Sequence, residues 1–551
     1  DLSGSPDLAD LAERVRRATT FTLGHAAVGL DALLDHLEVP TAASRTPLFQ
    51  VGFDHVPDAP ARVRPLHPDL PELELHELPG HPGTAKLDLH LVVEERPSRA
   101  TARLELDDEL LDPGLAARWL ADWAELLGAM LSEPDRPVAE LVPTAGVLEG
   151  PELPPSPDLG AHLARLADEA PDEVAVVEAH ARWTRAELQT AARRRAAHLA
   201  ARADLAPGPV ALSLPRGLDQ VAWILACWQA GRSFLALDPD EPALRRARLA
   251  ASSGAVALVG TSELADELEL PHLAPSGPRA EGVGSECPGS AAPPREDLER
   301  LDPDREAYRV ATSGSTGEPK WIRIGHGALA ARAASARRTY GWDATTRVLH
   351  RIPLAFDAAL LELLLPLAAG ARVVLAGAEA ARDPSRCLAL AAAEGVTTLV
   401  GLASWLEAVA QVPAGLARCP SVTLLISGGE PIGAGLRAAL ADTAAPPALW
   451  NSYGPAEACI EALAFRVEGD DLLPEAPAPP IGRPLPGVRT RVRDAGGRDL
   501  PHGAEGELWL GGAGLALGYV DAREDRRAFV VEDGERWYRT GDLMRARSDG
   551  A

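Results

Sequence analysis

The run "ATSGSTGEPKW", Ala311 to Trp321, puts backbone freedom, hydroxyl donors and one cation into a single turn. Gly314 and Gly317 let the chain bend sharply and bring N–H groups against an anion. Thr312, Ser313, Ser315 and Thr316 add hydroxyl donors, and Lys320 adds positive charge. That combination suits a polyphosphate. A solvated linker has a similar composition. However, "AYRVA" before the run and "KWIRI" after it read as strands at hairpin distance, where a linker is out of place. The spacing excludes a Walker loop, which needs Gly-Lys-Ser/Thr entering a helix. It also excludes a Gly-x-Ser-x-Gly elbow, because Ser313 stands where the first glycine would fall.

A turn of this kind needs a larger frame to hold it. With 551 residues the chain is too long for one core, which predicts several domains, and a hydrophobic content of 46% is enough to build them. The net charge of −26 argues against a nucleic-acid surface. No apolar run reaches a membrane span, and the acidic start is no signal peptide. Asp1 in place of Met predicts a piece of a longer chain. Cys227, Cys287, Cys387, Cys419 and Cys459 are scattered without a CxxC pair, the pattern of reduced thiols, so a cytoplasmic location is expected. No zinc-ligand spacing occurs.

Residues 1–143 read as one α/β block. It holds an amphipathic helix in "DLADLAERVRRATTFTLGH", strands in "TPLFQVGFDHV" and "AKLDLHLVVEER", and a helix in "PGLAARWLADWAELLGAML" with Leu115, Trp119, Trp123 and Leu126 near one face. Residues 144–158, rich in Pro and Gly, read as an interdomain linker. From residue 159 helices alternate with apolar strands such as "ARVVLAG", "VTTLVGL" and "VTLLISGG", which predicts layered α/β subdomains. Residues 274–297 read as a disordered loop. After about residue 470 helices are expected to stop and a small β-rich subdomain to follow.

Downstream of the Gly-rich turn come "FDAALLELLLPL", "ISGGEPI", "NSYGPAEACI", "GELWLGGAGLALGY" and "YRTGDL", in that order. Together these resemble the core motifs of adenylation domains of nonribosomal peptide synthetases, within the ANL adenylate-forming superfamily. The resemblance covers roughly residues 158–551. The block before it is similar to the C-terminal lobe of a condensation domain through "TPLFQVGFDH", "KLDLHLVVEE" and "LLGAMLSEPDRPVAEL".

The resemblance implies ATP-dependent activation of an amino acid as its aminoacyl-adenylate. The acid is then loaded as a thioester on the phosphopantetheine of a separate carrier domain. It assigns Thr312, Ser313, Gly314, Ser315, Thr316, Gly317 and Lys320 to the β- and γ-phosphates, with Thr316 and Lys320 as catalytic donors. Glu457 becomes the Mg²⁺ carboxylate, a duty that one or two carboxylates usually fill. Tyr453 offers a face for adenine and Asn451 reads its edge, with Gly428, Gly429, Glu430, Ser452 and Gly454 alongside. Asp542 of "TGD" accepts from the ribose hydroxyls. Asp357 pairs with the substrate α-ammonium, since a buried carboxylate needs a partner. Ala358, Leu361, Val400, Ile426, Gly428, Ser452, Ile460 and Glu461 are implied as the rest of the amino-acid lining. That lining suits a branched aliphatic or aromatic side chain. Glu461 either meets a polar tip (a phenol, amide or amine) or faces solvent. Implied partners are the carrier domain, the rest of the condensation domain, other synthetase modules and an MbtH-like small protein, without nucleic acid or membrane.

Several positions depart from the family pattern. Ala456 stands for the usual Thr, Trp321 for Gly and Leu517 for Arg. The chain stops at "ARSDGA", before the family's hinge and its catalytic Lys, so slow adenylate formation is expected. Two other readings stay open: an acyl-CoA or aryl-acid ligase of the same superfamily, and a non-catalytic scaffold fragment.

Overall fold

The apolar runs "TLVG" and "LLISG" become neighbouring parallel strands, Thr398–Gly401 and Leu424–Gly428, buried along nearly their whole length. Strands shielded on both faces need no polar alternation, so the sequence reads as continuous hydrophobics. The computed structural model describes residues 2–37, 48–57, 63–67, 70–76, 84–179, 181–276, 302, 304–313, 319–441, 443 and 445–550. The chain is mixed α/β and divides into two units. One holds Asp1–Gly146, Val492–Gly506 and Leu543–Gly550; the other holds Val147–Arg491 and Glu507–Asp542.

In the larger unit, a nine-stranded sheet runs in the order Arg483–Pro484, Leu463–Val467, Ala448–Tyr453, Leu424–Gly428, Thr398–Gly401, Arg347–His350, Arg372–Leu375, Val174–Glu178 and Ala181–Thr184. Its middle is parallel, and its outer strands are antiparallel. Leu349, Val374, Leu399, Leu425 and Leu449 pack one face of it against Leu388, Leu406 and Leu436 of the covering helices. A seven-stranded sheet carries the antiparallel hairpin Glu306–Ser313 with Pro319–Gly325, in the register Thr312 to Lys320. That hairpin flanks the Gly-rich turn as expected. Gly314, Ser315, Thr316 and Gly317 lie outside the described residues, as does the expected disordered loop from residue 277 onward. Helix Leu218–Gln229 is apolar all round because nearly every residue in it is buried.

The expectation that helices stop after residue 470 needs correction, because Ala522–Ala528 is helical. The Asp521 carboxylate caps it by accepting from Arg523 N–H, and Glu524 and Asp525 in the first turn with Arg526 and Arg527 in the last suit the helix dipole. Within the stretch 144–158, Leu148–Glu149 is a strand paired with Arg489 and Thr490, and Asp158 caps helix Leu159–Glu169.

In the smaller unit, Val51–Val56 pairs in parallel with Leu89–Arg96, which forms a hairpin with Arg99–Leu106. Helix Pro113–Ser132 starts on an Asp112 cap, and Met130, Val138 and Leu141 make a small core with Leu8, Leu11 and Leu126. Helix Leu8–Gly24 buries none of its side chains fully and packs through the half-buried Leu8 and Leu11. Phe21, Leu23 and Phe53 are 69%, 70% and 61% exposed among the described residues. Among the described residues no helix is long and apolar enough to cross a membrane. The described cysteines, Cys227, Cys387, Cys419 and Cys459, are free and buried.

Candidate functional site

Residues directly opposite one another in a parallel ladder point to the same face, and the face alternates along each strand. Val400 is opposite Ile426, Ile426 opposite Trp450, and Gly428 opposite Ser452. These residues therefore share one face near the C-terminal strand ends. Gly401, Ser427 and Asn451 are also in line, and with Tyr453 they belong to the other face. The period of two thus separates Val400 and Ile426 of the expected amino-acid lining from Asn451 and Tyr453 of the expected adenine contacts, with Gly428 and Ser452, expected in both sets, on the Val400 face. Ligands of open α/β sheets gather at the carboxyl ends of strands.

On the expected nucleotide side, Thr312, Lys320, Tyr453, Asp542, Asn451 and Glu430 each have a protein partner. Lys320 Nζ donates to Glu524 Oε2 at 2.5 Å, a half-buried ion pair. Thr312 Oγ1 reaches the Lys320 carbonyl at 3.5 Å. The Tyr453 hydroxyl donates to Asp542, so two residues 89 positions apart meet. Burial and that carboxylate push the Tyr453 phenol well above its ordinary range. Asp542 lies within strand Glu535–Arg545, directly after Gly541 at φ +77°, and its own N–H donates to Thr540 Oγ1. Asn451 spends its amide on the carbonyls of Pro480 (2.8 Å) and Pro479 (3.4 Å), which ties it to main chain. Glu430 accepts from Ser404 N–H at 3.0 Å, which lowers its pKa. Gly429 adopts φ +80°, a conformation glycine takes without a Cβ clash.

Glu457 is buried, and it accepts from the Tyr519 hydroxyl. Burial followed by the nearby carboxylate raises the pKa of Tyr519 and of Tyr538. Among the described residues no cluster of three or more His, Cys, Asp or Glu could cage a metal. A lone carboxylate is the donor set that Mg²⁺ uses when phosphate oxygens complete its shell, so Glu457 fits that ion.

The amino-acid side is different. Asp357 precedes helix Ala358–Glu362, and its Oδ2 is shielded from water without a hydrogen-bond partner. Burial, then the charge of Glu457, pushes its pKa up to about 6, against the pull of the Ala358 and Ile460 N–H groups. Leu361, Val400, Ile426 and Ile460 are buried around this face, with Ala358 half-buried. Glu461 is 1% exposed, which removes the solvent-facing alternative. Its Oε2 accepts from Tyr340 (2.7 Å) and Ser452 (2.8 Å), while Oε1 is buried without a partner. Cys459 and Ile460 hold φ of +58° and +80°. Such backbone in a β-branched residue costs on the order of 1–3 kcal/mol and persists only where the surroundings impose it. Gly454 allows the turn to close, because a Cβ there would come within 2.3 Å of Glu461 Cα.

Sequence reasoning missed Glu524, Tyr519, Tyr538 and Tyr340. Tyr519 and Tyr538 end and begin two of the quoted motifs, but their partner Glu457, like the partners of Glu524 and Tyr340, is met only through the fold. Trp321 is explained by packing: it is buried beside Ala211, Leu235 and Leu258, and its indole N–H donates to Ser252 Oγ at 3.0 Å. A cavity of about 810 Å³ lies elsewhere, against Leu153–Asp158 and Gly325–Ala328, and no motif side chain assigned above lines it.

Comparison with known proteins fits this geometry. The model of the family described as AMP-binding enzyme matches residues 163–520. The chain is 33% identical over 584 aligned residues to the phosphinothricin tripeptide synthetase PhsB of Streptomyces viridochromogenes, with all of this chain and 47% of that protein covered. It therefore spans about half the length of that curated relative. The nonribosomal peptide synthetase FmoA3 in its AMPPNP-bound form superimposes with a TM-score of 0.70 at 26% identity, covering 91% of this chain and 54% of that one. The four-domain synthetase AB3403, bound to AMP and glycine, shares the fold with a TM-score of 0.80 at 24% identity, covering all of this chain and 42% of that one. The chain belongs to the AMP-binding enzyme family, as an adenylation domain of the ANL adenylate-forming superfamily.

Proposed function

We propose that this chain selects an amino acid and activates it with ATP as an aminoacyl-adenylate, for thioester loading onto a phosphopantetheinyl carrier domain in nonribosomal peptide synthesis. The observation that carries the reading is the shielded, unpartnered Oδ2 of Asp357. A buried carboxylate without a partner is costly, and a substrate ammonium removes the cost. An acid without an α-amine would leave it unpaired, which argues against the acyl-CoA or aryl-acid ligase reading.

In the reaction an α-carboxylate oxygen attacks the α-phosphorus of ATP. A new O–P bond forms, the bond to the bridging oxygen breaks, and pyrophosphate leaves. Positioning and charge neutralisation supply most of the acceleration. Lys320 exchanges Glu524 for the distal phosphates, joined by the donors of Thr312, Ser313, Ser315 and Thr316. Glu457 would hold Mg²⁺, which when bound offsets phosphate charge. Tyr453 flanks the adenine, Asp542 takes the ribose hydroxyls, and Asp357 anchors the α-ammonium. Residues 1–143 are the C-terminal part of a condensation domain, 144–158 a linker and 159–551 the adenylation core. The rest of the condensation domain is the partner of the first block. The carrier domain, other modules and an MbtH-like protein complete the partners, in the cytoplasm.

ATP–pyrophosphate exchange tests this. α-Amino acids should drive it and their deaminated analogues should not. Exchange driven equally well by deaminated acids would favour the acid-ligase reading, and failure to bind ATP would favour the scaffold.

A further inference from the structure

Two carboxylates flank one strained turn, Glu461 buried and Asp357 half-buried, and each keeps a shielded oxygen without a partner. Asp357 approaches the N–H of Ile460, and Glu461 follows that residue in the chain. The two acids therefore stand around a single turn at the edge of the sheet face that carries Val400, Ile426 and Ser452.

Glu461 is anchored rather than loose. Tyr340 and Ser452 both donate to its Oε2, and Tyr340 is itself held edge-on against Trp450 at 5.6 Å between ring centres. Two hydroxyls thus fix the carboxyl group and leave Oε1 for something else. The cation in this neighbourhood, Arg332, does not fill that place. Its Nε donates to the Cys459 carbonyl at 3.2 Å and its Nη1 to Ser335 Oγ at 3.3 Å. If Glu461 only filled space, an apolar residue would serve at lower cost, because a buried unsatisfied acceptor is expensive. A site that leaves a polar group unpaired when the wrong ligand enters rejects that ligand strongly.

We infer that the amino acid taken by this site carries a hydrogen-bond donor at the end of its side chain, an amine before a phenol, which pairs with Glu461 Oε1 while its α-ammonium pairs with Asp357. This rests on the amino-acid reading above and goes beyond the apolar lining, which alone would suit an aliphatic or aromatic substrate. The stem of such a side chain lies against Val400 and Ile426, and the donor reaches the anchored carboxylate.

The test is calorimetric binding to this chain in the presence of a non-hydrolysable ATP analogue, using two matched pairs: ornithine with norleucine, and tyrosine with phenylalanine. The members of each pair differ in essence by the donor alone. In at least one pair the donor-bearing amino acid should bind about 10- to 100-fold tighter, the range that a hydrogen bond to a charged group supports. Equal or tighter binding of the apolar member in both pairs overturns the inference and leaves the amino-acid reading standing. If no α-amino acid binds while the nucleotide does, the amino-acid reading falls and the inference with it. Glu461→Leu should bring the favoured pair to within about threefold of equality, from the same loss of one charged acceptor. Retention of the full ratio in a folded Glu461→Leu protein overturns the inference. The wild-type pairs decide the matter if that variant does not fold.

Discussion

The two sides of the site solve opposite problems. On the nucleotide side Lys320, Glu457, Tyr453, Asn451 and Glu430 each already hold a protein partner. On the amino-acid side Asp357 and Glu461 each present a buried oxygen with none. A group that trades partners loses little in either state, so it tolerates a nucleotide that comes and goes. A carboxylate held dry and unpaired costs stability until its ligand arrives, and that cost becomes discrimination between ligands. On the proposed roles, the nucleotide side suits exchange and the amino-acid side suits selection.

The comparison breaks most visibly at Asp357. Asp357→Ala should collapse the preference for an amino acid over its deaminated analogue, a ratio in kcat/KM expected to be about 10⁴–10⁵ when a buried polar group is left unpaired. A mutant that keeps the wild-type ratio would remove Asp357 from the selecting role. Next comes Lys320. Lys320→Ala should weaken ATP about 10- to 100-fold and AMP hardly at all, because charge-assisted bonds to the distal phosphates are lost. Glu524→Gln should instead tighten ATP by about two- to fivefold, since a half-buried ion pair worth roughly 1 kcal/mol need not be broken first. Equal losses for ATP and AMP would mean that Lys320 does not reach the distal phosphates.

A further expected effect is in pH. The folded pKa of Asp357 is raised to about 6, so its carboxylate gains a proton as pH falls through that value. The folded state then binds more protons than the unfolded one between about pH 4 and 6, so this group makes stability fall as pH rises across that window. Ammonium binding requires the charged form, so affinity should fall about tenfold from pH 7 to pH 5. Asp357→Asn should flatten that dependence, and a profile unchanged in the variant would assign it to another group.

Much of this was legible beforehand. The hairpin around the Gly-rich turn follows from alternating apolar residues on each side of it, a local signal. The parallel strands follow from unbroken apolar runs, and residue order placed Asp357, Glu457 and Asp542 in recognisable motifs. The helix Ala522–Ala528 was missed because its cap and paired charges are also the composition of a solvated loop. Glu524 beside Lys320, Tyr519 beside Glu457 and Tyr340 beside Glu461 were not legible, since each pair is separated by 62 to 204 residues.

By itself the sequence determined the chemistry on offer: a Gly- and hydroxyl-rich turn with a lysine, single carboxylates in ordered motifs, and strands apolar enough to be buried. These depend on residue type and local period, which the chain carries regardless of how distant segments meet. Only the tertiary structure decided which charges are spent and which are kept. Whether Glu461 faced solvent or lay buried with one oxygen free depended on Tyr340 and Ser452 reaching it from other elements. Solvation and hydrogen-bond partnership are properties of a place in the fold, and the place exists only once those elements pack.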